Sequence, residues 1–184
     1  AEELAERDKI INNLNSILPE DIAVYRILKV GEQAHARFDA TSRSYEYRVI
    51  RHKDPFENET AHFVKNQLDV IKMNRAAKVL MEYNDFKCFS RSRTDVKTFN
   101  CKIMAAEWQE QGNLLVFNIT ADRFLRNMVR AIVGTLLEVG LGKISEENLR
   151  EIINSRDRQK AGTSVPAKAL FLKDIQYPES IFRE

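Results

Sequence analysis

Residues 123–139 carry the pattern that most restricts the fold. At about 100° per residue the stretch separates into two faces. Phe124, Met128, Ala131, Ile132, Thr135, Leu136 and Val139 share one of them, and Arg123, Arg126, Asn127, Arg130 and Gly134 share the other. An apolar stripe this long needs a core to bury it, so the pattern predicts a long helix closed by Gly140. The longest uncharged apolar run, residues 131–137, is far short of the roughly 20 residues that span a bilayer. Three arginines on one stripe repel one another unless anions meet them. Gly134 costs a helix about 1 kcal/mol relative to alanine, which suggests that something approaches the backbone there. Two readings fit this face: a solvated basic surface with an incidental glycine, or a groove for phosphate or carboxylate.

Composition narrows the classes. The 29 basic and 27 acidic residues leave a formal net charge of +2, which excludes a supercharged nucleic-acid tail and an acidic disordered segment. With 43% hydrophobic residues and 6 Gly plus 4 Pro, one compact domain is the expectation for all 184 residues. No signal-type stretch opens the chain, so a soluble, cytoplasmic protein with no membrane partner is expected. Cys88 and Cys101 lack a CxxC spacing and a nearby histidine; both read as reduced structural thiols, which disfavours a zinc site and a redox motif. Charge is uneven along the chain. Residues 37–53 carry five bases against two acids, and Lys87, Arg91, Arg93, Lys97 and Lys102 face Asp95 alone, so a basic surface and a salt-laced solvated one are both open.

The remaining periodicities predict an α+β chain, a mainly antiparallel sheet with flanking helices. Leu4, Ile11, Leu14 and Leu18 space an opening helix that Pro19 ends. Residues 22–30 and 34–51 read as strands, a second helix begins at Asp69 and runs to Asn84, and residues 98–108 and 114–121 flank the turn signal Gln111-Gly112-Asn113. Ser145 with Glu146 and Glu147 opens another helix, and residues 169–177 alternate as a last strand after a polar loop. On the strand through Arg43-Ser44-Tyr45-Glu46-Tyr47-Arg48, Arg43, Tyr45 and Tyr47 point one way. A strand tyrosine is usually a core aromatic. Here, with His35, Arg37 and Phe38 upstream, aromatics interleaved with bases also suit stacking on nucleobases while cations hold phosphates.

Leu14-Asn15-Ser16-Ile17-Leu18-Pro19, His35-Ala36-Arg37-Phe38, Arg43-Ser44-Tyr45-Glu46-Tyr47-Arg48, Asn84-Asp85-Phe86, the run from Phe124 through Met128-Val129-Arg130 to Gly140, and Arg156-Asp157-Arg158 leading to Ala161-Gly162 stand in this order. Together they resemble the tRNA pseudouridine synthase A (TruA) family over nearly the whole chain. The resemblance implies a pseudouridine-synthase fold and a homodimeric, cofactor-free isomerase that converts uridine to pseudouridine in the tRNA anticodon stem-loop. It implies that Tyr45 stacks on the target base and takes a proton from its C5. Arg130 is implied to hold the catalytic aspartate ionised, and Leu170 to pack against the flipped base. Arg37, Phe38 and Arg43 match positions lining the RNA groove; His35, Arg123 and Arg126 complete the expected substrate-binding set.

One element of the family pattern is missing. Its aspartate nucleophile lies in an N-terminal Gly-Arg-Thr-Asp element followed by Gly-Val-His, which these 184 residues do not contain. Arg93-Thr94-Asp95 has neither the glycine nor the following tripeptide and stands after Asn84-Asp85-Phe86, so Asp95 reads as a decoy. The expectation is a C-terminal catalytic and tRNA-binding domain whose N-terminal domain is absent from this chain. A noncatalytic RNA-binding or dimerisation module is the alternative; a hydrolase using Asp95 would need a base that no nearby motif supplies. The 184 residues alone are expected to release no tritium from tRNA labelled at uridine C5, because positioning groups cannot replace a nucleophile. Turnover by these residues alone would reinstate Asp95.

Overall fold

The computed structural model describes residues 2–91 and 96–182. Arg93-Thr94-Asp95 lies outside the described residues. The chain divides into two compact units, residues 1–39 with 177–184, and residues 40–176, where composition suggested one domain.

The first unit opens with helix α1, Glu2–Ile17. The strand expected over residues 22–30 does not form. Asn15 Oδ1 accepts from the Val24 N–H at 2.7 Å while its Nδ2 donates to the Val24 carbonyl at 2.8 Å, taking both groups that a ladder would use there. Only Val30 pairs, as an isolated bridge to Phe182. Residues 34–39 are likewise a turn and not the start of a strand. The Asp39 carboxylate accepts from the His35 N–H at 2.7 Å, and His35 Nδ1 accepts from the Arg37 and Phe38 N–H groups at 3.2 and 3.3 Å. Side-chain acceptors thereby close the turn on itself.

The second unit is built on a five-stranded sheet. β1 (Ser42–Ile50) is central: it pairs antiparallel with β4 (Leu114–Ala121) and β5 (Leu170–Gln176), and its last residues pair parallel with the short β2 (His62–Phe63). β3 (Ile103–Gln111) extends the sheet beyond β4 through a two-residue turn in which Gly112 takes φ +60°, a conformation open to glycine. The expected mainly antiparallel α+β sheet is present. β3 begins five residues later than the sequence suggested.

One sheet face is apolar. Tyr47, Val49, Phe117, Ile119 and Trp108 alternate inward and join Met73, Ala76, Met128, Ile132 and Leu136 in a single buried cluster, each large side chain contributing about 1.5–3 kcal/mol through burial. The helices supplying that cluster are α2 (Val70–Val79), α3 (Met128–Gly140) and α4 (Glu146–Ser155). Asp69 caps α2 by accepting from the Lys72 N–H at 3.0 Å, and Ser145 caps α4 in a reciprocal box with Asn148. Asn74 of α2 reaches the outer edge of β3, accepting from the Trp108 N–H at 2.8 Å and donating to its carbonyl at 3.0 Å. The edge strand is partly closed by a side chain.

α3 departs from its sequence pattern at both ends. It starts at Met128, because Asn127 takes φ +69° and Asp122 Oδ1 accepts from the Arg123 and Lys102 N–H groups at 2.7 Å, holding that stretch out of the helix. Arg123 and Arg126 therefore do not share a helical stripe with Arg130. At the far end Gly142, not Gly140, adopts the left-handed conformation, with Lys143 N–H bonding to Glu138 O and Gly142 N–H to Val139 O, a Schellman stop. Gly140 packs against α2 instead: a Cβ there would press on Met73 Sδ and oblige that side chain to move.

Gly134 is approached closely, as its position implied, but by this chain's own segment 161–165. A Cβ at Gly134 would lie 1.9 Å from the Thr163 carbonyl oxygen, and one at Gly162 2.8 Å from the Thr135 nitrogen. Thr135 Oγ1 accepts from the Gly162 N–H at 2.9 Å while donating to Ala131 O. Gly134→Ala should cost about 1–3 kcal/mol by overpacking a backbone crossing that has no side chain to yield. A urea midpoint unchanged from the parent protein would show that the crossing has slack.

Candidate active site

Two side chains anchor the segment that crosses α3. Arg130, in the first turn of α3, donates from Nε to the Val165 carbonyl at 2.6 Å, and the Val165 N–H returns a bond to the Arg130 carbonyl at 3.2 Å. Tyr47 of β1 donates its hydroxyl to the next carbonyl, Pro166 O, at 3.0 Å. The segment then turns through Ala167–Ala169 and enters β5 at Leu170, whose register partner is Tyr47. Partners directly opposite in an antiparallel pair project to the same side, so Leu170 and Tyr47 share a face. Tyr45, two residues from Tyr47 on that face, is half-buried and meets Phe124 edge-on, with ring centroids 5.2 Å apart. Tyr45, Arg130 and Leu170, the residues expected at the reacting centre, are thus carried by one strand, one helix and the segment that ties them.

An open cleft of about 560 Å³ lies at the start of α3, lined by Arg91, Asn127, Arg130 and Arg158. No carboxylate is among these lining residues. Arg158 donates from Nη1 to Ala161 O at 3.3 Å and Gly162 O at 3.2 Å, and from Nη2 to Ser164 Oγ at 2.8 Å, the hydroxyl that also accepts from Asn127 Nδ2 at 2.6 Å. Sequence reasoning gave Arg158 and Ser164 no role and put Asn127 only on the basic face of the expected helix. Arg156-Asp157-Arg158 was quoted only as a landmark, and the link between Gly134 and Gly162 that brings Arg158 to α3 is not written in either segment alone.

The other expected substrate contacts fall in different settings. Arg43 donates from Nη1 to Ala40 O at 2.8 Å and Asp122 O at 2.6 Å, a clamp between the start of β1 and the end of β4. Arg123 is half-buried and Arg126 exposed in the loop before α3; the Arg126 carbonyl accepts from the Arg91 N–H at 3.0 Å. His35, Arg37 and Phe38 belong to the first unit, where His35 and Phe38 rings stand 4.3 Å apart and the Arg37 guanidinium lies 5.6 Å from the Phe38 ring centre.

The environment also sorts the ionisable groups. Burial pushes the Tyr47 phenol well up, against a smaller opposing effect of the Arg130 charge. Burial likewise raises the Cys88 and Cys101 thiols, to about 12 and about 11; both are free and buried, as expected. On the opposite sheet face burial alone would raise the Glu46 carboxyl, but bonds and charge from Arg48 and Lys173 outweigh it and hold it low. His62, at the end of β1's parallel partner, is lowered by burial and then by the Lys168 charge.

For Tyr47 the sign is set by an unfolded value near about 10 and a higher folded one. Its stabilisation is complete below about pH 10 and is lost as pH rises toward the folded value. Tyr47→Phe should lower stability by about 1 kcal/mol at neutral pH, through the lost bond to Pro166 O. It should also flatten part of the alkaline fall, leaving the share that the two thiols contribute in the same direction. Urea unfolding followed from about pH 7 to about pH 11 reads both effects; an unaltered alkaline slope would mean the phenol titrates alike in both states.

Comparison with known proteins shows the family. Residues 76–178, which hold the cleft, Arg130 and Leu170, match the family model described as tRNA pseudouridine synthase. A protein from Parabacteroides distasonis named tRNA pseudouridine synthase A is 56% identical over 173 residues, covering 94% of this chain and 69% of that protein. A relative of the same name from Bacteroides fragilis is 55% identical over 176 residues, covering 95% of this chain and 70% of its own length. Another from Bacillus subtilis is 37% identical over 166 residues, covering 89% and 67%. No helix among the described residues is long and apolar enough to cross a membrane. At this identity and coverage the chain belongs to the tRNA pseudouridine synthase family, with tRNA pseudouridine synthase A proteins as its relatives.

Proposed function

We propose that this chain carries part of the active site of an isomerase that converts uridine to pseudouridine in tRNA, within the anticodon stem-loop. The observation that carries the reading is the Arg130 guanidinium, held at Nε by the Val165 carbonyl, with both its Nη groups left to meet a carboxylate. Its partners among the described residues are neutral, and a planar fork can bind a carboxylate bidentately and keep it ionised. The carboxylate is the family's aspartate, whose element the 184 residues do not contain; on this reading it comes from elsewhere in the protein.

The reaction conserves composition. The bond from ribose C1′ to uracil N1 breaks, the base turns, and C1′ bonds to C5. The C5 proton leaves to a base, a role we assign to Tyr45, and N1 takes up a proton. Tyr45 supports the base by stacking, and its hydroxyl has no hydrogen-bond partner among the described residues. Leu170, on the same sheet face, offers the turned base an apolar wall. The exposed loop arginine Arg126 and the Arg37–Phe38 turn suit contacts to phosphate and to unpaired bases. The reading includes a homodimer in the cytoplasm.

Arg130→Lys in the full-length protein should reduce the single-turnover rate at saturating tRNA by about 100-fold although charge is kept, because an ammonium cannot hold Val165 O and fork a carboxylate together. Arg126→Lys should mainly weaken binding and leave that rate nearly intact. If both variants lose only affinity, Arg130 is another phosphate contact and the site assignment fails.

A further inference from the structure

Arg130 and Arg158 bring two positive charges to the cleft at the start of α3, and among the described residues neither is paired with a carboxylate, so a single incoming carboxylate leaves one of the two charges unmet. Arg130 and Arg158 both line it. Their described partners are the carbonyls of Val165, Ala161 and Gly162 and the hydroxyl of Ser164, which satisfy N–H groups without cancelling charge. Asp157, the acid next to Arg158, accepts from the Gln159 N–H at 2.9 Å and makes no ion pair with Arg158. An arginine has five N–H donors. Arg130 uses Nε alone, leaving four, enough to fork a carboxylate. Arg158 uses three, leaving two on a guanidinium already fixed in place, so little further ordering is needed to grip an anion.

We infer that Arg158, with Asn127 beside it, forms a subsite for a phosphodiester of the RNA next to the target uridine, distinct from the carboxylate seat at Arg130. The inference rests on the tRNA reading above. A polyanionic substrate brings its own second anion into the cleft when the target nucleotide enters, and a phosphate contact of this kind fixes position without reading sequence. Because Arg158 also ties residues 161–164, the phosphate grips the segment that crosses Gly134 and delivers Val165, Pro166 and Leu170. Binding the backbone and setting the base wall are then one event.

The test uses the full-length protein and synthetic tRNA stem-loops in which single phosphodiesters are replaced by neutral methylphosphonates, on either side of the target uridine or far from it in the stem. Neutralising one flanking phosphate should weaken binding about tenfold, and the distant substitution should not. Arg158→Gln should weaken binding of the unmodified RNA about tenfold, lower the salt slope by about one, and erase the penalty of the flanking methylphosphonate. Arg126→Gln should weaken binding but leave that penalty in place. Should Arg158→Gln fail to fold, Arg158→Lys takes its role and should shrink the penalty. The subsite is overturned if flanking methylphosphonates bind the unaltered protein as tightly as unmodified RNA, or if the penalty survives undiminished in the Arg158 variant. Absence of pseudouridine in the unmodified RNA would overturn the proposed function and the subsite together, whereas conversion with phosphate-independent binding overturns the subsite alone.

Discussion

The crossing of residues 161–165 over α3 is the constraint on which the site depends. Two backbones meet at Gly134 and Gly162 more closely than any side chain would permit. A helix surface normally keeps a neighbour 8–10 Å from its axis; glycine at both crossing points removes that spacer. Thr135 then turns proximity into registration, since its hydroxyl accepts from the Gly162 N–H and returns its own proton to the helix. With the crossing fixed, the Val165 and Pro166 carbonyls come within reach of Arg130 and Tyr47. Each is a neutral acceptor on an ordered backbone, so the side chains that meet them are held without losing charge or being pulled to a competing anion.

That arrangement explains how the protein tolerates cations with no described acidic partner. Surface ion pairs are present elsewhere, as between Arg150 and Glu82, Arg156 and Asp85, and Arg51 and Glu110. At the cleft the described partners of Arg130 and Arg158 are carbonyls and a hydroxyl. Guanidinium groups are weakly hydrated and carry their charge over a plane, so carbonyl and hydroxyl acceptors can satisfy them at modest cost while the positive potential remains. A lysine cluster would lose more hydration in the same place. The potential is left for an anion that arrives from outside the described residues.

The elements built on local rules were legible in the sequence. Asp69, Ser145 and Gly112 stand at the ends or turns they announced, because capping and turn chemistry depend on a few neighbouring residues. The β1 alternation placed Tyr45 and Tyr47 on one face; that Leu170 shares it comes from the β5 register, which no pattern within either strand announces. The start of α3 was misread because the hydrophobic period continues upstream through Phe124, which does pack toward the core but from a loop that Asp122 and Asn127 hold open. Residues 22–30 have strand composition, yet a strand exists only where a partner edge is free, and Asn15 occupies Val24. The cleft was the least visible feature: its arginines lie on three segments joined by the Gly134–Gly162 crossing and by the Arg91 N–H bond to Arg126 O, and long-range backbone contacts leave no periodic trace.

The register of β5 shows how the crossing reaches the far side of the sheet. From Leu170 opposite Tyr47 the pairing runs to Leu172 opposite Tyr45 and then skips Lys173, so that Asp174 stands opposite Ser44. The skipped residue is a bulge, which leaves a residue unpaired and lets its side chain be re-aimed. Lys173 reaches Glu46 Oε2 and Asn118 Oδ1, both at 3.3 Å, on the face away from the tyrosines. A slip of one residue would turn Leu170 away from Tyr47 and place Phe171 there instead. Two devices oppose the slip: the carbonyl bonds that fix where β5 begins, and the ion pairs of Glu46 with Lys173 and Arg48 that fix the bulge. The apolar wall beside Tyr45 is therefore set from both ends of one strand, and by groups on both faces of the sheet.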